Sequence, residues 1–388
     1  MRKKLKDIFT CFAILLIGAS TLSCIEDPYE AGPNGSSISG NEKVTHPQRK
    51  DGRIVLGYCT YYGSKTPDAE VLTHINYAFA ELYVRDGQYV TFKLQGDEKR
   101  FQQIVNVKQQ HPELKICLSF SHTVTNPDNF QAGGFSVMAS TEEGRKAFAN
   151  DCLSFLRKWN IDGIDIDWEF PGISWSGHAC DPAHDVENFT LLMKQLRETL
   201  GNQYLLTYAG YVMNVQGSGD NRRFIDIAAV DPYVDFVNLM TYDIAAGSEG
   251  QHQSAWDRPD YYWDCVRAIN AYTSAGVSPS KLVLGIPFYA RHAWDDSDGF
   301  KGCVDYNKFA AEYPASKGFT TENWDERGQV PYVARNGKIW AGYDNPKSIG
   351  LKAEKVLAKG MKGLMYWDYD ADDAAGTLRN AVWDSVMK

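Results

Sequence analysis

The chain is 388 residues long and carries a formal net charge of −9, from 40 basic and 49 acidic side chains. That balance argues against a nucleic-acid surface and against electrostatic attachment to anionic lipid, and it fits a neutral substrate without naming one. The eight histidines show no ligand spacing and the cysteines form no CxxC pair, so no metal and no cofactor is expected.

Arg2, Lys3, Lys4 and Lys6 precede an apolar run from Ile8 to Leu22 that ends at Ser23-Cys24. A basic start followed by an apolar stretch too short and too early for a membrane span reads as a signal peptide over residues 1–24. Leu22-Ser23-Cys24 resembles a bacterial lipoprotein box, with Thr21 where an aliphatic residue is usual. The resemblance implies that Cys24 bears lipid. It also implies a place in the bacterial cell envelope, at the outer membrane or cell surface, with plain secretion as the alternative. Glu26 and Asp27 resemble the surface-export signal of some such lipoproteins. Residues 25–50 are rich in Gly, Ser, Asn, Pro and charge, lack an apolar period, and are expected to be a flexible tether.

From residue 51 to 388 short apolar runs alternate with amphipathic segments. Strands are predicted at Arg53 to Tyr58, His74 to Ala80, Leu114 to Phe120, Gly163 to Phe170, Tyr204 to Ala209, Val234 to Thr241, Lys281 to Phe288 and Gly363 to Trp367. Between them, Thr141 to Trp159 carries a stripe of Phe148, Cys152, Phe155, Leu156 and Trp159, and His184 to Leu200 one of Val186, Phe189, Met193, Leu196 and Leu200. Eight strands separated by helices predict an α/β fold, a (β/α)8 TIM barrel. The gap between the last two strands is too long for one helix. Its aromatics and the Asn336-Gly337 hairpin signal predict a small α+β insertion over about 292–341, walling one side of a cleft. Cys59, Cys117 and Cys152 read as buried, whereas Cys180 and Cys303 fall in predicted loops where a disulfide cannot be deduced.

Within the fourth strand, isoleucines alternate with aspartates in Asp162-Gly163-Ile164-Asp165-Ile166-Asp167-Trp168-Glu169. Period two puts Asp165, Asp167 and Glu169 on one face, neighbours roughly 6 to 7 Å apart along the strand. Three carboxyls so close cannot all ionise freely. The expectation is a proton shared between the two aspartates and a Glu169 kept protonated near neutral pH, as a general acid requires. The flanking Trp168, Phe170 and Pro171 read as the walls of a pocket at the strand end.

This stretch resembles the signature of family 18 glycoside hydrolases, the chitinases and their relatives. The resemblance extends to His74-Ile75-Asn76-Tyr77-Ala78-Phe79, Asn238-Leu239-Met240-Thr241-Tyr242-Asp243, Gly285-Ile286-Pro287-Phe288-Tyr289-Ala290-Arg291 and Gly363-Leu364-Met365-Tyr366-Trp367. It implies Glu169 as the acid, with Asp167 and Asp165 tuning its charge. Tyr242 would contact a substrate acetamide, Met240, Asp243 and Arg291 would line the sugar site, Trp367 would be its floor, and Tyr58 and Phe79 would stand at its wall. One departure is Ser119-Phe120-Ser121-His122, where the family has Ser-x-Gly-Gly, followed by a longer loop holding Asn126-Pro127-Asp128 and Gly133-Gly134.

Glycosidases commonly need two carboxyls across the scissile bond. Here three lie on one strand with no evident partner opposite. The resemblance supplies the answer, since this family uses the acetamide of its own substrate as nucleophile. It implies retaining hydrolysis of β-1,4 bonds between N-acetylglucosamine units, in chitin or its oligosaccharides. The alternatives are an endo-β-N-acetylglucosaminidase acting on the chitobiose core of N-glycans and a chitinase-like lectin that binds without cutting; the presence of Glu169 argues against the lectin. The expected partners are an N-acetylglucosamine-containing oligo- or polysaccharide and, through the lipid, a membrane.

Overall fold

The structure is a computed structural model that describes residues 45–125, 134–173, 179–212, 224–244, 252–261, 263–294, 296 and 298–388. Cys24, the leader, most of the tether, and Asn126, Pro127, Asp128 and Gly133 of the long loop lie outside the described residues.

In chain order the strands are β1 (Ile54–Thr60), β2 (His74–Arg85), β3 (Gln88–Leu94), β4 (Lys115–Ser121), β5 (Gly163–Asp167), β6 (Leu205–Gly210), β7 (Phe236–Leu239), β8 (Leu282–Pro287), β9 (Tyr289–Arg291), β10 (Cys303–Asp305), β11 (Phe319–Asp325), β12 (Val330–Arg335), β13 (Lys338–Gly342) and β14 (Gly363–Trp367). The helices are α1 (Glu98–Gln110), α2 (Phe135–Ser140), α3 (Glu142–Trp159), α4 (Asp185–Leu200), α5 (Ile227–Val230), α6 (Cys265–Ser274), α7 (Phe309–Glu312), α8 (Pro346–Ala358) and α9 (Thr377–Val386). Parallel pairing runs β1-β14-β8-β7-β6-β5-β4-β2 and closes through β1 against β2. This is the predicted eight-stranded barrel, and each of its strands falls on one of the eight predicted runs.

Alternation along the strands builds two separate cores. Outward side chains such as Ile164, Ile166, Leu206 and Leu284 pack under the helices in one large apolar layer. Inward ones, among them Ile54, Leu56, Phe236, Val283 and Met365, fill the lumen. The helix stripes feed the outer layer: Phe148, Cys152 and Leu156 of α3, and Phe189, Met193, Leu196 and Leu200 of α4, are buried there. The start of α3 is set locally. Thr141 accepts a hydrogen bond from the backbone N–H of Gly144 at 3.0 Å, and Glu142 and Glu143 occupy the positive end of the first turn.

One strand is missing from the sequence reading, and the predicted α+β insertion is present with slightly wider bounds. β2 runs past the barrel rim, turns at Asp86-Gly87 (φ 52° and 73°) and returns as the antiparallel β3, with Arg85 opposite Gln88. A two-residue turn with both φ values positive is a hairpin signal, and the sequence reading passed over it. The insertion is a five-stranded antiparallel sheet, ordered β10-β9-β13-β12-β11, that begins at Tyr289 and ends at Gly342. Asn336 and Gly337 make its β12–β13 turn with φ of 51° and 79° between the paired Arg335 and Lys338, as that dipeptide predicts. Cys303 lies in β10, not in a loop, and Cys180 is a free thiol.

Candidate active site

The C-terminal mouth of the barrel collects aromatic and apolar residues singled out on four different strands or their exits. Tyr58 ends the inward row of β1, Phe79 that of β2, Met240 and Tyr242 follow β7, and Trp367 ends β14. All five pack on the lumen cluster. Trp367 stacks on Phe79 with ring centroids 5.6 Å apart and planes at 22°, and tilts against Tyr58 at 5.5 Å. Tyr242 has room because position 285 is glycine. A Cβ there would come within 2.9 Å of the Tyr242 ring and 2.4 Å of the Leu239 carbonyl oxygen.

Asp165 is fully buried, and its carboxylate accepts four hydrogen bonds. Oδ2 takes them from Tyr58 Oη at 2.9 Å and Ser119 Oγ at 2.7 Å; Oδ1 takes them from Thr207 Oγ1 at 2.6 Å and Asn238 Nδ2 at 3.2 Å. Burial pushes its proton affinity up while these donors pull it back. Ser119 and Thr207 lie in register with Asp165 on either side. The sequence reading gives no role to Ser119, Thr207 or Asn238, and not this one to Tyr58. The available signal was one polar residue at an inward position in each of β4, β6 and β7, which in sequence looks the same as a solvent-facing one.

The expected sharing of a proton between Asp165 and Asp167 is corrected by this arrangement. Both Asp165 oxygens are taken, and Asp167 hydrogen-bonds Glu169 instead. Burial, then the charges of Glu169 and Asp165, raise Asp167 well above the carboxylate range, so Asp167 holds the proton and Glu169 accepts. Glu169 is pushed up to about 7, first by burial and next by the charge of Asp243, while the hydrogen bond from Asp167 pulls it down. The other oxygen of Asp167, Oδ1, is buried without a hydrogen-bond partner among the described residues.

Asp243 stands across the mouth with a left-handed backbone, φ 57°. Its carboxylate is gripped in a fork by Arg291, Nε to Oδ1 at 2.9 Å and Nη2 to Oδ2 at 3.0 Å. Arg291 also lies over the rings of Trp294 and Tyr289. Burial raises the Tyr242 hydroxyl well above its usual range, so it stays a phenol able to donate.

Trp168 and Phe170 are not pocket walls. β5 ends at Asp167, and the parity that turns the carboxylates inward turns Trp168 outward, where it stacks on Phe135 of α2 at 5.3 Å and 9°. Phe170 packs on Tyr211 and Phe224. They buttress the acid from behind. Ser121, opposite Asp167 in register, is buried and accepts a hydrogen bond from Thr123 N at 3.0 Å; His122 is buried beside it.

Comparison with known proteins agrees with this geometry. The profile described as Glycosyl hydrolases family 18 matches residues 54–372. Chitinase A1 of Niallia circulans is 30% identical over 72% of this chain and 44% of its own length, and an endochitinase of Manduca sexta is 26% identical over 81% and 61%. The chain thus spans about half the length of these two curated relatives. A solved family 18 N-acetylglucosaminidase from Paenibacillus barengoltzii superposes with a TM-score of 0.69 at 30% identity, covering 86% of this chain and 99% of that one.

Proposed function

Because the chain belongs to glycosyl hydrolase family 18, we propose that it hydrolyses β-1,4 bonds between N-acetylglucosamine units with retention, the substrate's acetamide serving as nucleophile. The observation that carries this reading is the disposition of the carboxyls. Glu169 titrates near neutrality, Asp165 is saturated by four donors, and Asp243, the acid across the mouth, is engaged by Arg291. No carboxylate among these is placed as a second catalytic group, so the nucleophile is the sugar's own carbonyl oxygen, a route taken from the family's known chemistry and not deduced anew.

In this mechanism Glu169 protonates the leaving oxygen while the acetamide oxygen attacks the anomeric carbon and closes an oxazolinium ring. The Tyr242 hydroxyl donates to that carbonyl and holds it in line. The proton between Asp167 and Glu169 is the one spent, which leaves Asp167 anionic, with the partnerless Oδ1 available to the acetamide N–H and the charge facing the cation. Glu169 then takes a proton from water, and the water opens the ring from the same face. Trp367, on Phe79 and Tyr58, offers a flat apolar surface to the reacting ring.

Product analysis on N-acetylglucosamine oligomers, beside their deacetylated counterparts and a high-mannose glycopeptide, tests the proposal. Cleavage of the acetylated oligomers alone is the expected outcome, with inhibition by a thiazoline mimic of the intermediate. Efficient cutting of deacetylated oligomers, or a glycosyl adduct trapped on an Asp or Glu, would overturn the mechanism. Cutting of the glycopeptide alone would reassign the substrate.

A further inference from the structure

Gln253 lies outside the carboxyl cluster, yet its side chain ties together three segments that meet beneath Asp243. It is 1% exposed and its amide is fully used. Oε1 accepts from the backbone N–H of Asp243 at 3.3 Å, while Nε2 donates to the carbonyl oxygens of Tyr289 and Gly342, each at 2.9 Å. Its own carbonyl accepts from Ile244 N at 3.1 Å. Tyr289 starts β9 and Gly342 ends β13, where it pairs with Arg291. One amide thus joins the exit of β7 to the first and last strands of the insertion. Position 342 is fitted to it as well, since a Cβ there would sit 2.8 Å from Gln253 N and 3.0 Å from His252 Cα.

We propose that Gln253 is a positioning residue for the acid: it fixes the left-handed backbone of Asp243 and the strand that bears Arg291, and so sets the distance at which the Asp243 charge faces Glu169. A non-glycine residue with positive φ is strained and has to be held, and the staple supplies restraint on both sides of that residue, at Asp243 N and Ile244 N. The insertion thereby becomes part of the chemistry, acting through Asp243. This inference rests on the reading of Glu169 as the acid.

The groups facing Glu169 are Asp167, Asp243, Tyr242 and Tyr211, and those facing Asp243 are Arg291, Tyr242 and Tyr289. Among these, Asp243 and Tyr289 are held by the staple through their own backbones, and of the two it is Asp243 whose charge acts on Glu169. A negative charge favours the protonated form of its neighbour, so letting Asp243 swing away lowers the Glu169 pKa. In Gln253→Met, which keeps the length and loses the three amide hydrogen bonds, the basic limb of the kcat–pH profile should move to lower pH by roughly half a unit or more. Gly342→Ala, which pushes on the staple from the other side, should move it the same way. Gly337→Ala, in the same sheet but remote from the staple, should leave the limb in place. A limb unmoved in both Gln253→Met and Gly342→Ala, with activity lost by one factor at every pH, would show a merely structural role and overturn the proposal. Direct 13C NMR titration of the Glu169 carboxyl, which needs no substrate, separates the two readings. A wild type inert on N-acetylglucosamine oligomers refutes the functional assignment, whereas an unshifted titration in both variants refutes the staple.

Discussion

Glu169 shows how one residue acquires a role that its chemistry alone does not confer. In water its carboxyl would be ionised at pH 7; burial beside Asp243 brings its pKa to about 7, where a group can both give and take a proton. Glu169→Gln, similar in size and unable to donate an acidic proton, should retain oligosaccharide binding and lose turnover by about 10²-fold or more, measured as kcat against KM. The sign of the pH dependence follows from the same residue. Catalysis needs the protonated form, so activity should fall as pH rises through about 7. Asp243→Asn removes the second-largest cause of the upward shift and leaves the Arg291 charge uncompensated, so its basic limb should lie at lower pH than that of the wild type. A limb that stays in place would assign the shift to burial alone.

At the scale of elements, β5 and its neighbours do two jobs with one alternation. Outward Ile164, Ile166 and Trp168 anchor the strand to α2 and α4, and inward Asp165 and Asp167 are presented to the lumen, so the acid-bearing turn is rigid because its back face is buried. The β12–β13 hairpin offers a clean test of local backbone cost. Gly337 has φ 79° and nothing within 4 Å of where a Cβ would stand, so Gly337→Ala meets no steric obstacle beyond its own backbone. It should destabilise the protein by about 1 kcal/mol through the left-handed conformation alone. Urea unfolding would measure that loss, and an unchanged midpoint would mean that the turn relaxes at no cost.

Across the whole molecule, the chain enters and leaves at the end of the barrel remote from the mouth. Residues before β1 lie against α9: His46 pairs with Asp384 at 2.9 Å, Trp383 Nε1 donates to the Pro47 carbonyl at 2.9 Å, and Arg49 Nη2 reaches the Leu72 carbonyl, just ahead of β2, at 2.6 Å. No helix among the described residues is long and apolar enough to cross a membrane. Anchoring is proposed on Leu22-Ser23-Cys24 alone. Cys24→Ala should shift the protein out of the membrane fraction or block its maturation, because lipid chains are what would hold it there. Unchanged fractionation, with no lipid label on the wild type, would favour plain secretion.

Periodicity was enough to place the eight barrel strands and helices α3 and α4, because burial on one face imposes a pattern that sequence carries directly. The alternation through Asp165 and Asp167 likewise puts the carboxyls on a shared face. Tertiary structure alone decided which carboxyls share a proton. That outcome depends on Tyr58, Ser119, Thr207 and Asn238, brought from four other strands to saturate Asp165, and strand register across a barrel leaves no trace within any one segment. Trp168 shares the outward parity of Ile164 and Ile166, so its place behind the acid was legible in the same alternation, and what tertiary structure decided is that Phe135 of α2 stacks on it. The same holds for Gln253, one amide in an unremarkable loop sequence, whose partners at Asp243, Tyr289 and Gly342 converge only when the insertion packs against the exit of β7.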